Sequence, residues 1–177
     1  MFRLLYPFEY VESVFTIDFE KLRKLGYKGL IFDIDNTLVC HGGDSNEKVD
    51  DFFSYLHERG FQTLLLSNNS EERVLRFLKN IDSLYIADAK KPLRKNYIKA
   101  VKKMGLEKEE VLFIGDQVFT DTFGANRSGI ACVLVRFIRH NGKVDFRLRR
   151  KLEKSVLDRY LKNPKYQHRL DATGIEK

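Results

Sequence analysis

GLIFDIDNTLVC, residues 29–40, decides the fold: Leu30, Ile31 and Phe32 run directly into Asp33 and Asp35. A short apolar run ending in charge reads as a strand buried on both faces of a parallel sheet. Ligands of open parallel sheets bind in the crevice beyond the carboxyl ends of the strands, so residues 33–37 are where chemistry belongs. Two carboxylates at i and i+2 of an extended chain point the same way, and their like charges require a cation. Taken alone, Asp33, Asn36 and Thr37 also suit a turn whose short polar side chains bond nearby backbone.

Working outward, three more polar tips follow in order. Leu64, Leu65 and Leu66 lead into Ser67, Asn68 and Asn69. Leu84 to Ala87 is a short strand ahead of Lys90, Lys91 and Pro92, with Pro92 in the first turn of a helix that Gly105 ends. Val111 to Ile114 precede GDQVFTD, residues 115–121, and Ala131 to Val135 supply the last strand. Thr120 to Ser128 reads as too polar for deep burial. Helices in the intervals, including one from a Ser45 cap to Arg59, predict right-handed crossovers and a parallel five-stranded sheet with helices on both faces. Ahead of this sheet, residues 8–16 read as a short helix and Asp18 as the cap of a second.

These tips resemble the four motifs of the haloacid dehalogenase-like (HAD) phosphatase superfamily, which run DxDxT, Ser or Thr, Lys, and GDxxxxD. The combination FDIDNTL, SNN, KKPL and GDQVFTD is similar to subfamily IIIA of YqeG type, whose members include mitochondrial phosphatidylglycerophosphate phosphatases. The segment PFEYVESVFTIDFEKLRKLGYKG resembles the lead-in of the same family. The resemblance implies an α/β, Rossmann-like HAD fold. The short intervals after the first tip and between Ser70 and Ser83 leave no room for a large cap domain.

A phosphate ester repels nucleophiles with its own negative oxygens, so a site needs cations and a fixed attacking atom. By resemblance Asp33 is the nucleophile that forms an aspartyl-phosphate, and Asp35 protonates the leaving alcohol and then activates water. Ser67 bonds a phosphoryl oxygen and Lys91 offsets charge. Mg²⁺ is the implied cofactor, held by the Asp33 carboxylate, the Asp35 backbone carbonyl and Asp116. Asp121 is either a ligand through water or the partner that orients Lys91. Thr37, Asn68 and Asn69 are the substrate-binding candidates, with Gln117 and Thr120 also near the rim. Each has a plainer use as a cap, turn former or surface charge.

Composition sets the remaining bounds. The chain has 177 residues, 43% hydrophobic, enough for one domain with a core. Its two cysteines, Cys40 and Cys132, show no metal-ligand spacing and fit a reducing compartment, with Cys40 expected to be buried. No apolar run approaches the ~20 residues that span a bilayer, which points to a cytoplasmic protein, with peripheral contact at the inner membrane face as the further option.

The net charge of +7 is unevenly placed: residues 1–135 hold 19 Lys and Arg against 20 Asp and Glu, and residues 136–177 hold 13 against 5. The chain divides into a HAD-like phosphatase domain at 1–140, with residues 1–28 as a helical lead-in, and a tail at 141–177. From Asp145 to about Leu161, Leu148, Leu152, Val156 and Tyr160 form an apolar stripe, widened by Leu157 and Leu161, among arginines and lysines. This basic amphipathic helix packs on its own domain or lies on anionic lipid. The expected substrate is a phosphomonoester on a lipid head group, phosphatidylglycerophosphate in particular. A soluble sugar phosphate, nucleotide or phosphoprotein is the alternative, and RNA or ribosome binding by the basic tail is a reading of a different class.

Overall fold

Alternating strands and helices build one parallel sheet. The computed structural model describes residues 2–138 and 148–171. Its strands are β1 (Glu9–Val11), β2 (Gly29–Phe32), β3 (Gln62–Leu66), β4 (Leu84–Ile86), β5 (Val111–Gly115) and β6 (Ala131–Val135). The helices are α1 (Phe19–Lys24), α2 (Glu47–Glu58), α3 (Glu71–Phe77), α4 (Arg94–Met104), α5 (Phe123–Ser128) and α6 (Leu148–Leu161). The strand order is β1-β6-β5-β2-β3-β4, and all neighbours are parallel. From β2 the chain builds outward through β3 and β4, then returns to the other side of β2 with β5. The order reverses between β2 and β5, where such sheets open a crevice.

Period-two alternation within the strands sorts the core onto two faces. Leu30, Phe32, Leu65, Leu112 and Ile114 pack with Phe19, Leu22, Val49, Phe52, Phe53 and Phe77 from α1, α2 and α3. Ile31, Leu64, Leu66 and Phe113 pack on the opposite face with Tyr97, Ala100, Val101 and Met104 of α4 and Ala125 of α5. Both faces of the central strands are thereby dry.

The sheet has six strands rather than the expected five, because part of the segment read as a helix over 8–16 is β1. Glu9, Tyr10 and Val11 pair with Val133, Leu134 and Val135, so β6 does not end the sheet. Val14–Thr16 form only a 3-10 turn, whose cap is Ser13. Asp18 caps α1 as expected, accepting from the Lys21 amide at 2.9 Å. Asn46, not Ser45, caps α2, with its Oδ1 accepting from the Val49 amide. The Lys91–Pro92 peptide is cis, and α4 begins at Arg94 rather than at Pro92. Cys40 is half-buried and Cys132 buried, and both are free.

Two polar segments are buried more deeply than their composition suggests. Thr120, Asp121, Thr122 and Ser128 are all buried, in a π-helical turn over Val118–Thr122 and in α5. Their polar groups are paired inside: the Tyr97 hydroxyl donates to the Thr120 carbonyl at 2.8 Å, and Ser128 Oγ donates to the Gly124 carbonyl.

In α6 the expected stripe splits. Val156 and Tyr160 pack against Tyr6, Val118 and Leu134, while Leu148 and Leu152 remain 73% and 52% exposed. The first half of the helix instead buries Glu153 and lays Arg150 against the carboxyl end of the sheet. The expected start at Asp145 falls outside the described residues. No helix among the described residues is long and apolar enough to cross a membrane.

Candidate active site

β2 and β5 are hydrogen-bonded neighbours, and the ladder continues one step past β2, where the Asp33 amide donates to the Ile114 carbonyl at 2.9 Å. Asp33 and Asp116 therefore project from adjacent tips at the reversal point. Side-chain oxygens of Asp33, Asp116 and Asp121 all lie within 4.8 Å of one another. All three residues are buried, as is Lys91, whose Nζ donates to Asp33 Oδ1 at 2.6 Å and to Asp121 Oδ1 at 2.8 Å. Lys90, the neighbouring lysine, is exposed.

Two of these buried carboxyls, Asp33 and Asp116, are held above the ordinary carboxylate range. Burial pushes the Asp33 carboxyl up to about 6; Lys91 opposes this and Asp121 adds to it. Burial pushes Asp116 up to about 8, with Asp121 and Asp33 adding to it and Arg150 opposing. Burial would lower the Lys91 ammonium, but Asp121 and Asp33 outweigh it and hold it above its ordinary value. Asp116 Oδ1 is buried with no hydrogen-bond partner. An unsatisfied buried carboxylate oxygen beside two others fits a hard divalent cation with oxygen ligands, and Asp33 and Asp116 could hold one.

Asp121 has both carboxylate oxygens hydrogen-bonded, one of them to Lys91. Its Oδ2 accepts from the Gln117 amide at 3.0 Å and its Oδ1 is taken by Lys91. The π-helical turn folds it back beneath Gly115, where a Cβ would lie 2.6 Å from Asp121 Cγ. Gly115→Ala is accordingly expected to displace Asp121, cost about 1–3 kcal/mol as overpacking does, and lower activity at least tenfold. Thermal unfolding and phosphate-release assays check both effects.

The expectation that Asp33 and Asp35 aim at one cation needs correction. β2 ends at Phe32, and a tight turn follows with Asn36 at φ +63°, so strand alternation does not carry to Asp35. The Asp35 carboxylate accepts from Asn69 Nδ2 at 2.8 Å and from Arg73 Nη2 at 3.4 Å, with His41 Nδ1 3.4 Å away. Its carboxylate thus stands apart from the three-carboxylate group; the carbonyl role assigned to it by resemblance is a separate matter.

The other candidates have defined positions. Ser67 is buried at the end of β3, its Oγ accepting from the Asn69 amide. Asn68 Oδ1 accepts from the Lys91 amide at 2.7 Å, so Asn68 and Asn69 fix Lys91 and Asp35 respectively. Thr37 is buried with its hydroxyl unpartnered. Gln117 and Thr120 bond each other through Oε1 and Oγ1.

Sequence reasoning missed two arginines. Arg73, three residues after the Ser70 cap of α3, donates to the Gly43 carbonyl at 2.5 Å as well as to Asp35, tying the 41–44 loop to that carboxylate. Arg150 donates to Asp116 Oδ2 at 2.5 Å. The only sequence signal for Arg150 was a Glu three residues on, a pair that surface helices also carry.

A family profile of haloacid dehalogenase-like hydrolases matches residues 40–129. A curated Bacillus subtilis (strain 168) protein named "Probable phosphatase YqeG" is 36% identical over 152 residues, covering 85% of this chain and 88% of its own. Two solved structures share the fold. An uncharacterized protein from Listeria monocytogenes serotype 4b has a TM-score of 0.53 at 16% identity, covering 73% of this chain and 97% of its own. A structure assigned to HAD subfamily III A, from Legionella pneumophila, has a TM-score of 0.51 at 19% identity, covering 82% and 91%. With four polar tips gathered at one sheet reversal, and with a relative this similar along nearly the whole chain, the protein belongs to the haloacid dehalogenase-like hydrolase family, in its YqeG-type branch.

Proposed function

We propose that this HAD phosphatase is a Mg²⁺-dependent phosphomonoesterase that works through an aspartyl-phosphate on Asp33. The observation that carries the reading is the buried Asp33–Lys91–Asp121 chain of ion pairs beside Asp116. Lys91 fixes one Asp33 oxygen and lends positive charge where phosphoryl oxygens collect. An Asp33 carboxylate oxygen attacks phosphorus, the bond from phosphorus to the alcohol oxygen breaks, and Asp35 delivers the proton to the departing alkoxide. Asp35 then takes a proton from the water that cleaves the acyl phosphate and regenerates Asp33. Ser67 and Thr37 offer hydroxyls to phosphoryl oxygens. Bound at Asp33, Asp116 and the Asp35 carbonyl, Mg²⁺ would supply the remaining charge neutralisation.

The preferred substrate is a phosphomonoester on a lipid head group, with phosphatidylglycerophosphate as the specific candidate. The connections after β2 and β3 are short: residues 33–46 before α2, and α3 with a single 3-10 turn before β4. We infer an open, capless site that reaches a phosphate held at a surface. Exposed Leu148 and Leu152 next to exposed Arg149, Lys151 and Lys154 suit contact with anionic lipid.

Phosphate release from phosphatidylglycerophosphate in mixed micelles with Mg²⁺, run beside a soluble aryl phosphate, tests both parts. Turnover of the lipid well above the aryl phosphate is expected. Turnover of the aryl phosphate alone would remove the lipid assignment and keep the chemistry.

A further inference from the structure

Arg150 and Glu153 form a charged pair where α6 meets the sheet, and the four tips do not account for it. Arg150 Nη2 donates to Asp116 Oδ2 at 2.5 Å, while Nη1 donates to the Asp116 carbonyl at 3.2 Å and to Glu153 Oε2 at 2.8 Å. Glu153 is only 4% exposed, and its Oε1 accepts from the Phe119 amide at 3.5 Å. The guanidinium also lies 4.9 Å from the Phe137 ring centroid. Two carboxylates, a carbonyl and an aromatic ring together hold one guanidinium in a defined place.

Docking of the helix does not need this arrangement. Desolvating two charges roughly cancels their attraction, and apolar residues of similar volume hold elements together as well or better. Val156 and Tyr160 already do so two turns further along α6. The guanidinium sits against Asp116, whose carboxylate lies within 4.8 Å of the Asp33 carboxylate. A phosphoryl group attacked by Asp33 must come within reach of that position. A planar fork of donors matches two phosphoryl oxygens, which a lysine cannot do in the same way.

We propose that Arg150 is a substrate-positioning residue supplied to the site by the C-terminal helix: braced by Glu153, its guanidinium moves from Asp116 to the phosphoryl oxygens when that carboxylate is engaged by a divalent cation. The proposal rests on the phosphatase reading above and adds a contact outside the four tips. It also makes α6 part of the site rather than an appended tail.

Calorimetric titration of inorganic phosphate into the Mg²⁺-loaded full chain tests it. Arg150→Met is expected to weaken phosphate binding about tenfold to a hundredfold, as loss of a charge-assisted hydrogen-bonded contact does. Arg150→Lys should recover part of the loss, and it supplies the measurement if the Met variant fails to fold. Val156→Ala loosens the helix without touching the guanidinium and should leave affinity within about twofold of the wild type. Unchanged binding in Arg150→Met, or an equal loss in Val156→Ala, would overturn the proposal and leave the phosphatase reading standing. Failure of the wild type to bind phosphate would instead overturn the phosphatase reading.

Discussion

Asp33→Asn is expected to reduce phosphate release by at least about 10³-fold, because an amide oxygen cannot form the covalent intermediate that divides the reaction into two easier steps. The fold should survive. Burial already pushes the Asp33 carboxyl up to about 6, so an uncharged isostere relieves a desolvation cost even as it weakens the pairing with Lys91. Asp121 remains to hold the ammonium. A variant that keeps its unfolding midpoint within a few degrees and loses turnover assigns the loss to chemistry. Retention of most turnover would exclude Asp33 as the nucleophile.

Lys91→Met should have the largest effect on stability. Removing one partner of a buried ion pair leaves the others without compensation and costs about 3–5 kcal/mol. The pH dependence has a definite sign. Asp33 and Asp116 are held at about 6 and about 8, above the ordinary carboxylate range. Carboxyls raised in the folded state contribute stability that is full below that range and is lost as pH rises through the raised values. The metal-free wild type should therefore lose stability between pH 5 and pH 9. In Lys91→Met the Asp33 carboxyl rises further, so its deficit should be modest near pH 5 and grow toward pH 8. Adding Asp121→Asn should recover part of it. Urea unfolding in a chelating buffer at the two pH values measures this, and a pH-independent deficit would show that the charges are not the cause.

The parts legible in sequence were those where an apolar run meets a polar tip. Asp33, Ser67, Lys91 and Asp116 stood out because each follows an apolar run, and the structure sets Lys91 against Asp33, Asp116 beside them and Ser67 buried just past β3. Asp35 was harder to read. Its position depends on the turn at Asn36 rather than on strand periodicity. β1 was missed because three residues cannot establish a period, and Phe8, Val11 and Phe15 satisfy a helical spacing equally well. Arg73, Arg150 and Glu153 could not be singled out for a different reason. Charged residues on helices are ordinarily solvated, and only tertiary contact shows which of them are drawn inward.

The pairing of β1 with β6 has a consequence for synthesis. Glu9 pairs with Val133, 124 positions later. On the ribosome, residues 9–11 therefore emerge long before the strand that receives them, and Val11 and Val14, both buried in the finished protein, stay exposed meanwhile. The sheet can grow from β2 through β5 while this first segment waits, so β1 is the last strand that can join it. A nascent chain arrested before β6 would present a mostly assembled core with an unpaired apolar segment, a form suited to chaperone capture.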